Sequence, residues 1–147
     1  MKLAQIQMHV TADKAANLRH AEDLLRSVRG ADMAILPEMF CCPYDNACFR
    51  AYGEPEGGPA YQMLSRAARE LNLWLVGGSL PELDGDKIYN TAYVFDPTGT
   101  CVARHRKMHL FDIDVQGGQS FRESATLSPG NDITLFDTPY GRIGLCI

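Results

Sequence analysis

Met33-Ala34-Ile35-Leu36-Pro37-Glu38 is the stretch that decides the fold, because five apolar residues lead into a single carboxylate. A short apolar run of this kind is typical of a strand buried on both faces of a parallel sheet. In the segment before it, apolar residues recur three or four positions apart: Leu18, Ala21, Leu25 and Val28. This spacing predicts a helix that ends near Gly30. Helix and strand together indicate an α/β fold with Glu38 at the carboxyl edge of the sheet, where such folds bind ligands.

The rest of the chain continues the alternation of strands and helices. Residues 2–8 alternate polar and apolar side chains and predict a first strand. Residues 41–59 are rich in Gly, Pro and Tyr and are predicted to be irregular, and a second amphipathic helix is predicted from Ala60 to Leu71. Further strands are predicted at residues 73–80, 88–95, 101–106, 133–136 and 142–147, with turns at 84–86 and 97–99. The polar segment 107–131 is longer than an ordinary connection and is therefore expected to have a function.

Charge and composition argue against several classes of partner. The 147 residues carry 14 lysines and arginines against 18 aspartates and glutamates, a net charge of −4, and the basic residues are scattered, which argues against nucleic acid. No apolar run approaches the roughly 20 residues that a membrane span needs, and residues 1–8 lack the continuous apolar stretch of a signal peptide. Five cysteines without an export signal indicate free thiols in a reducing cytoplasm. A cytoplasmic protein without a membrane or nucleic-acid partner is expected.

Two ionisable groups follow apolar strands and are candidates for acid–base chemistry. Glu38 ends the first run, and Lys107 ends the Arg104-His105-Arg106-Lys107 cluster after another predicted strand. A carboxylate and an ammonium held in one cleft favour each other's charged form, and partial burial would make the carboxylate a useful base. The alternative for Glu38 is a structural ion pair at the end of a strand.

Cysteines and histidines suggest a second kind of site. Cys41, Cys42 and Cys48 would suggest a zinc cluster, but adjacent cysteines seldom both bind one ion and no second pair stands at zinc-finger spacing. His105 and His109 are four residues apart, yet the local pattern predicts strand and loop rather than helix. One packed and one partly exposed histidine are expected, and no metal site.

Three separate blocks of the chain carry a resemblance to a known family. The blocks are Leu36-Pro37-Glu38-Met39-Phe40, residues 105–112, and Gly141-Arg142-Ile143-Gly144-Leu145-Cys146-Ile147. In order and separation they resemble the signature blocks of the nitrilase superfamily of carbon–nitrogen hydrolases, over essentially the whole chain. The resemblance implies a four-layer α-β-β-α sandwich, of which residues 1–147 would be the N-terminal half, one partial carbon–nitrogen hydrolase domain. It also implies assembly into a homodimer or larger homo-oligomer.

The resemblance further implies roles for individual residues. Glu38 matches the general base, Lys107 matches the residue that stabilises the tetrahedral intermediate, and Glu123 matches a supporting glutamate. The nucleophilic cysteine of the family falls on the position directly after Ile147. The chain is therefore expected to be truncated just before its nucleophile and inactive as given, and the gene is expected to continue with Cys-Tyr-Asp and about 110 further residues. No metal or organic cofactor is implied.

Cys146 is an alternative nucleophile, because it lies two positions before the expected one. Residues two apart in a strand point to the same face, so its thiol would share the active-site side of the sheet. In the family register, however, this position holds a small packing residue.

Within the superfamily, residues 109–114 and 121–130 are most similar to the ω-amidase branch. The turn Cys42-Pro43-Tyr44 also fits that branch and implies that Tyr44 lies near the substrate. The implied reaction is hydrolysis of the terminal amide of a short dicarboxylic ω-amide, such as α-ketoglutaramate, to an acid and ammonia through a cysteine thioester. Residues 116–119 (Gln-Gly-Gly-Gln) depart from relatives. Another amide, an N-carbamoyl compound or a nitrile therefore stays open as substrate, as does a non-catalytic protein that only binds.

Overall fold

The computed structural model describes the whole chain, Met1–Ile147, as three α-helices and ten short strands. The helices are α1 (Lys14–Ser27), α2 (Asn46–Tyr52) and α3 (Pro59–Leu71). The strands are β1 (Leu3–Gln5), β2 (Met33–Ile35), β3 (Trp74–Val76), β4 (Leu80–Asp84), β5 (Lys87–Phe95), β6 (Cys101–Arg106), β7 (Asp112–Asp114), β8 (Ser120–Arg122), β9 (Thr134–Thr138) and β10 (Gly141–Leu145). One 3-10 turn, Glu123–Ala125, follows β8.

Six strands form the central sheet. β1, β2 and β3 run parallel in that order, and β3 pairs antiparallel with β5. β6 pairs with one edge of β5, along residues that include Thr91 and Val94. On the other edge of β5, Thr91 pairs with β4 and Val94 pairs with β3. β3 and β4 therefore share the opposite edge of β5 and are two halves of one interrupted strand.

The helices cover one face of this sheet. Asp13 caps the N-terminus of α1, since its side chain accepts a hydrogen bond from the Ala16 N–H at 2.9 Å, and the helix packs against α3. α3 buries one face, whose residues are Ala60, Met63, Leu64, Ala67, Ala68 and Leu71. A fully buried leucine or methionine side chain stabilises the fold by about 1.5–3 kcal/mol, so this face holds the helix on the sheet. The spacing of these residues confirms the second helix predicted from the sequence.

The opposite face of the sheet is covered by the β9–β10 hairpin. Phe136 of β9 packs against three sheet residues, Met33, Val76 and Val94. Its ring also stacks on Trp74, with ring centroids 6.3 Å apart. Because successive residues of a strand point to opposite faces, the neighbours of these residues face the helices instead. The layers run helix, sheet and hairpin, which confirms the α/β class.

The strand predicted over residues 73–80 is interrupted at residues 77–79, and this expectation of one continuous strand is wrong. Gly78 has a φ of +57°, and a Cβ at this position would lie 2.1 Å from the carbonyl oxygen of Pro37. Only glycine fits such a close approach of two backbones. The interruption lets the chain bend around the residues that follow β2.

Two further elements differ from the sequence predictions. The first strand covers Leu3–Gln5 rather than residues 2–8, since its partner β2 has only three paired residues. The stretch 41–59 was predicted to be irregular but contains α2, which Asp45 caps by accepting from the Ala47 N–H at 2.8 Å. This helix has seven residues and buries only Phe49, so it has no periodic apolar pattern to detect.

The other predicted elements are confirmed, the strand at residues 101–106 with the predicted ends and most of the others with shifted ends. The polar segment 107–131 contains the β7–β8 hairpin and the 3-10 turn, so it is ordered rather than a plain connection. In none of the helices are length and apolar character sufficient for a membrane span.

Candidate active site

Four side chains singled out in the sequence meet at the carboxyl edge of the sheet. Glu38 follows β2, Lys107 follows β6, Glu123 opens the 3-10 turn, and Tyr44 precedes α2. Nζ of Lys107 lies 2.9 Å from Oε1 of Glu38, 3.1 Å from Oε2 of Glu123 and 3.3 Å from the Tyr44 hydroxyl. The structure therefore brings all four residues into direct contact, although 85 positions separate the first from the last in the sequence, counted as 123 minus 38.

The backbone beside Glu38 is held by residues 77–79, which we call the Ser79 clamp. The Ser79 hydroxyl accepts from the Met39 N–H at 3.0 Å, and the Ser79 carbonyl accepts from the Phe40 N–H at 3.2 Å. Met39 has a φ of +50°, a conformation that costs a residue with a side chain about 1–2 kcal/mol. Burial of Met39 and the two clamp bonds offset that strain. The clamp thereby fixes the direction in which Glu38 leaves the sheet.

Lys107 is a buried ammonium, with a side chain only 9% exposed. The backbone N–H of Lys107 donates to the carbonyl oxygen of Asn90 on β5 at 2.9 Å, and this bond fixes the Lys107 backbone at the end of β6. Burial disfavours the charged form, but hydrogen bonds to Glu38 and Glu123 and their negative charges outweigh burial and raise the pKa of Lys107. The ammonium therefore stays charged at neutral pH and can stabilise a developing negative charge nearby.

Glu123 is a fully buried carboxylate whose oxygens are both satisfied. Oε1 accepts from the Tyr44 hydroxyl and from Nζ of Lys107, and Oε2 accepts from the Phe111 N–H. A buried charge is strongly unfavourable unless it is paired and hydrogen-bonded. These partners make Glu123 a fixed anchor for both Lys107 and Tyr44.

Tyr44 contributes a hydroxyl to the cluster and leaves part of its ring exposed. The ring packs on Phe49 edge to face and on Phe121 at a tilt, with centroids 5.7 and 5.6 Å away. Burial first, and then the hydrogen bond to Glu123 and the charge of Glu38, raise the pKa of Tyr44. The hydroxyl therefore stays protonated and acts as a hydrogen-bond donor beside the charged side chains.

Asn90 joins the cluster and was not singled out in the sequence. Its Nδ2 donates to Oε1 of Glu38 at 2.7 Å, and the residue is fully buried. The available signal was a buried-strand pattern, residues 88–95, that contains one side-chain amide among apolar and aromatic residues. Such an amide needs a partner inside the protein, and Glu38 is that partner.

A cavity of about 340 Å³ lies next to Glu38, between the sheet and the β9–β10 hairpin. Most of its lining is apolar, including Val76, Ala92 and Phe136. Cys146 and Ile147 line the same cavity as Glu38. The chain that follows β10 and the carboxylate that follows β2 therefore line one partly open cavity.

Two of the other cysteines, which precede Tyr44 in the chain, are buried thiols. Cys41 and Cys42 are buried, and burial raises the pKa of each thiol to about 12. All five cysteines are free thiols, and no group of three or more His, Cys, Asp or Glu side chains is arranged to hold a metal ion. His105 is buried against Thr134, with Nδ1 3.0 Å from the hydroxyl, whereas His109 is exposed. The expectation of one packed and one exposed histidine is confirmed.

Comparison with known proteins gives a consistent set of relatives. The carbon-nitrogen hydrolase family model matches residues 2–147. Omega-amidase NIT2 of Bos taurus is 49% identical over 148 residues, which cover 99% of this chain and 54% of the relative. Omega-amidase NIT2 of Danio rerio is 47% identical, with 99% of this chain and 53% of the relative covered.

Among solved structures, Saccharomyces cerevisiae Nit3, a member of branch 10 of the nitrilase superfamily, is similar to this chain with a TM-score of 0.86 and 37% identity. The similarity covers 99% of this chain and 54% of the yeast chain. The chain thus spans about half the length of the relatives it matches.

Proposed function

This chain belongs to the carbon–nitrogen hydrolase family of the nitrilase superfamily, and from that premise we propose that the full-length protein hydrolyses the terminal amide of a short dicarboxylic ω-amide to an acid and ammonia. By full-length protein we mean this chain together with the second half that its relatives carry. The observation that carries the proposal is the contact of Lys107 with Glu38 and Glu123 in one site beside a cavity.

The proposed nucleophile is a cysteine directly after Ile147. The family register predicts it there, and the proposal is supported by the cavity that Glu38 and Ile147 both line. Cys146 lines the same cavity and is the competing thiol. Reading the coding sequence downstream of Ile147 tests this part, since an immediate stop codon in the native gene would contradict it.

The geometry supports a two-step mechanism. Glu38 removes the thiol proton, sulfur bonds to the amide carbon, and the carbonyl oxygen becomes an oxyanion. Lys107 donates to that oxyanion, most readily with the N–H that now faces the Tyr44 hydroxyl, because this contact at 3.3 Å is longer than the one to Glu38. Glu38 returns its proton to the nitrogen as the carbon–nitrogen bond breaks. Ammonia departs, and the acyl group stays on the cysteine as a thioester.

The second step regenerates the thiol with the same groups. Glu38 removes a proton from water, the hydroxide attacks the thioester carbon, and Lys107 again holds the oxyanion. The carbon–sulfur bond breaks, the thiolate takes the proton from Glu38, and the carboxylic acid leaves. The chemistry requires no metal and no organic cofactor.

The substrate class is supported by two observations. The Bos taurus and Danio rerio relatives, 49% and 47% identical to this chain, are both named omega-amidase NIT2. In addition, Tyr44 presents a protonated hydroxyl and a partly exposed ring beside Glu38 and Lys107, which suits contact with a small polar substrate. α-Ketoglutaramate is therefore the proposed test substrate.

Ammonia release by the full-length protein tests the function. We expect turnover of α-ketoglutaramate and no turnover of an aliphatic nitrile or an N-carbamoyl amino acid supplied at equal concentration. Turnover of the nitrile alone, or of the N-carbamoyl amino acid alone, would mean that the protein is a hydrolase of this family with that compound class as its substrate. A folded protein that binds α-ketoglutarate but hydrolyses none of the three would contradict the catalytic proposal and favour a binding function.

We also propose a cytoplasmic location and a homodimeric or larger assembly for the full-length protein. The free state of all five cysteines supports a reducing compartment. Fractionation of the native cells and analytical ultracentrifugation of the purified protein test the two statements.

A further inference from the structure

The two carboxylate oxygens of Glu38 have different surroundings. Oε1 accepts from Nδ2 of Asn90 at 2.7 Å and from Nζ of Lys107 at 2.9 Å, and it lies 3.4 Å from the Tyr44 hydroxyl, whose single proton is donated to Glu123. Oε2 makes no hydrogen bond to the protein. A carboxylate oxygen that is already surrounded by donors is a poor proton acceptor, so Oε2 is the oxygen left to accept one.

Asn90 is an unusual residue for its place in the sheet. It is fully buried in β5, and its Oδ1 has no hydrogen-bond partner. The NH₂ group must face Glu38, because the amide oxygen would repel the carboxylate. A buried amide oxygen without a partner is unfavourable, and an apolar residue of similar volume would avoid it. The contact to Glu38 is the compensating interaction that the structure contains.

The backbone of Asn90 holds the second member of the pair. Its carbonyl oxygen accepts from the Lys107 N–H at 2.9 Å. Asn90 therefore contacts Glu38 through its side chain and Lys107 through its main chain. One residue on β5 fixes the separation between the carboxylate that follows β2 and the ammonium that follows β6.

We propose that Asn90 is a positioning residue for the general base: its amide N–H holds Oε1 of Glu38 in place and directs Oε2 to accept the proton from the nucleophile. The proposal rests on the proposed amidase function. Asn90 does not contact the substrate in this arrangement, so its loss is expected to affect proton transfer more than binding.

The test uses Asn90→Leu and Asn90→Asp in the full-length protein. Asn90→Leu removes the donor at similar volume, and we expect kcat to fall about 10- to 100-fold while KM changes less than about 3-fold. Asn90→Asp places a second carboxylate against Glu38, so the two share a proton, and the acid limb of the kcat/KM profile is expected to rise by at least about 1 pH unit. A role in packing alone would leave kcat of a folded Asn90→Leu variant close to that of the wild type.

Thr91→Val is the matched control, because Thr91 is the next residue of β5, is equally buried and donates to Glu82 rather than to Glu38. We expect it to lower the melting temperature without moving the acid limb. If Asn90→Leu fails to fold, the nearly isosteric Asn90→Asp decides. Unchanged kcat and an unchanged acid limb in a folded Asn90 variant would overturn the proposal.

Failure of the proposed function would be recognised separately. A wild-type protein without activity on any of the three substrates would contradict the proposed function. The role of Asn90 would then be tested by alkylation of the nucleophilic thiol with iodoacetamide, a reaction that needs the base but no substrate. The pH at which alkylation becomes fast is then expected to be higher in Asn90→Asp than in the wild type. Identical alkylation profiles would overturn the positioning role.

Discussion

At the scale of single residues, Glu38 and Lys107 divide the proposed chemistry between a half-exposed base and a buried cation. The Glu38 side chain is 40% exposed and that of Lys107 is 9% exposed. A proton acceptor has to reach solvent and substrate, whereas an oxyanion-stabilising cation acts more strongly where water is excluded. The difference in exposure therefore matches the difference in proposed role.

Neutralising either member of this pair is expected to remove most of the turnover of the full-length protein. Glu38→Gln keeps the shape and removes the base, and Lys107→Met removes the cation, so each should lower kcat by at least about 100-fold. Glu56→Gln and Lys87→Met are matched controls on exposed residues and should retain activity. Near-normal ammonia release by Glu38→Gln or Lys107→Met would show that the assigned roles are wrong.

His105 is expected to make the protein sensitive to acid. Burial is the main cause that lowers the pKa of His105 in the folded chain. The unfolded chain binds a proton at this histidine near pH 6.5, and the folded chain binds it only at lower pH. The free energy of unfolding should therefore fall as the pH drops through about 6.5 toward the lower folded pKa, and this residue should contribute no pH dependence above that range.

Urea unfolding between pH 5 and pH 8 checks this expectation. His105→Gln should give a flatter dependence of unfolding free energy on pH than the wild type, even if it is less stable overall. His109→Gln, which changes an exposed histidine in the same segment, is the control. Equal slopes for wild type and His105→Gln would contradict the assignment.

The site residues differ in how far the sequence reveals them. Glu38, Lys107, Glu123 and Tyr44 stand in segments that resemble family blocks, so the sequence pointed to them, and the structure brings them together. Asn90 was missed because its hydrogen bond to Glu38 depends on β5 passing close to the end of β2. That proximity is a property of strand order, which the local pattern around Asn90 does not contain.

At the scale of elements, the interruption between β3 and β4 links the sheet to the site. Gly78 and Gly85 have the same φ of +57°, but only Gly78 faces a close neighbour, the Pro37 carbonyl oxygen. Comparing substitutions at Gly78 and Gly85 therefore separates two effects of adding a side chain. One is the unfavourable backbone conformation, and the other is the collision with the backbone that leads to Glu38.

Gly85→Ala should destabilise the protein by about 1–2 kcal/mol, the usual cost of a left-handed conformation for a residue with a Cβ. Gly78→Ala should cost about 1–3 kcal/mol more, because the new Cβ forces a backbone shift, and it should also lower kcat by displacing Glu38. Urea unfolding and ammonia release measure the two quantities. Equal destabilisation by both substitutions would contradict the role assigned to the close approach.

Elements with a periodic apolar face were predictable and those defined by tertiary contact were not. α3 buries residues at spacings of three and four, so the sequence located it correctly. α2 is held by the single buried residue Phe49 and a cap at Asp45, which a periodicity search does not detect. The break at residues 77–79 results from the Pro37 backbone lying against Gly78, a contact between segments about 40 residues apart.

At the scale of the whole molecule, the described chain exposes several large apolar side chains. Ile133 is 84% exposed, Leu135 is 57% exposed and Leu3 is 53% exposed. Each such side chain forgoes about 1.5–3 kcal/mol that burial would provide. The sum over a few residues is comparable to the ~5–15 kcal/mol by which domains are stable.

Residues 1–147 expressed alone are therefore expected to self-associate and to show no amidase activity. Size-exclusion chromatography, thermal unfolding and ammonia release check this. Ile133→Thr combined with Leu135→Thr should reduce self-association without lowering the melting temperature, because neither side chain is buried. A monomeric wild-type fragment that melts cooperatively would contradict the expectation of self-association, and turnover that depends on Cys146 would contradict the proposed nucleophile.

The Ser79 clamp has a consequence for the internal motion of the protein. Met39 and Phe40 belong to no strand or helix, yet both N–H groups bond to Ser79 and both residues are almost fully buried. Because Met39, Phe40 and Ser79 are all buried, water reaches these N–H groups only when the local packing opens, so their amide hydrogens should exchange with deuterated water as slowly as those of the central sheet. The general base would then be carried by a segment that looks like a loop and behaves, over minutes to hours, like part of the sheet.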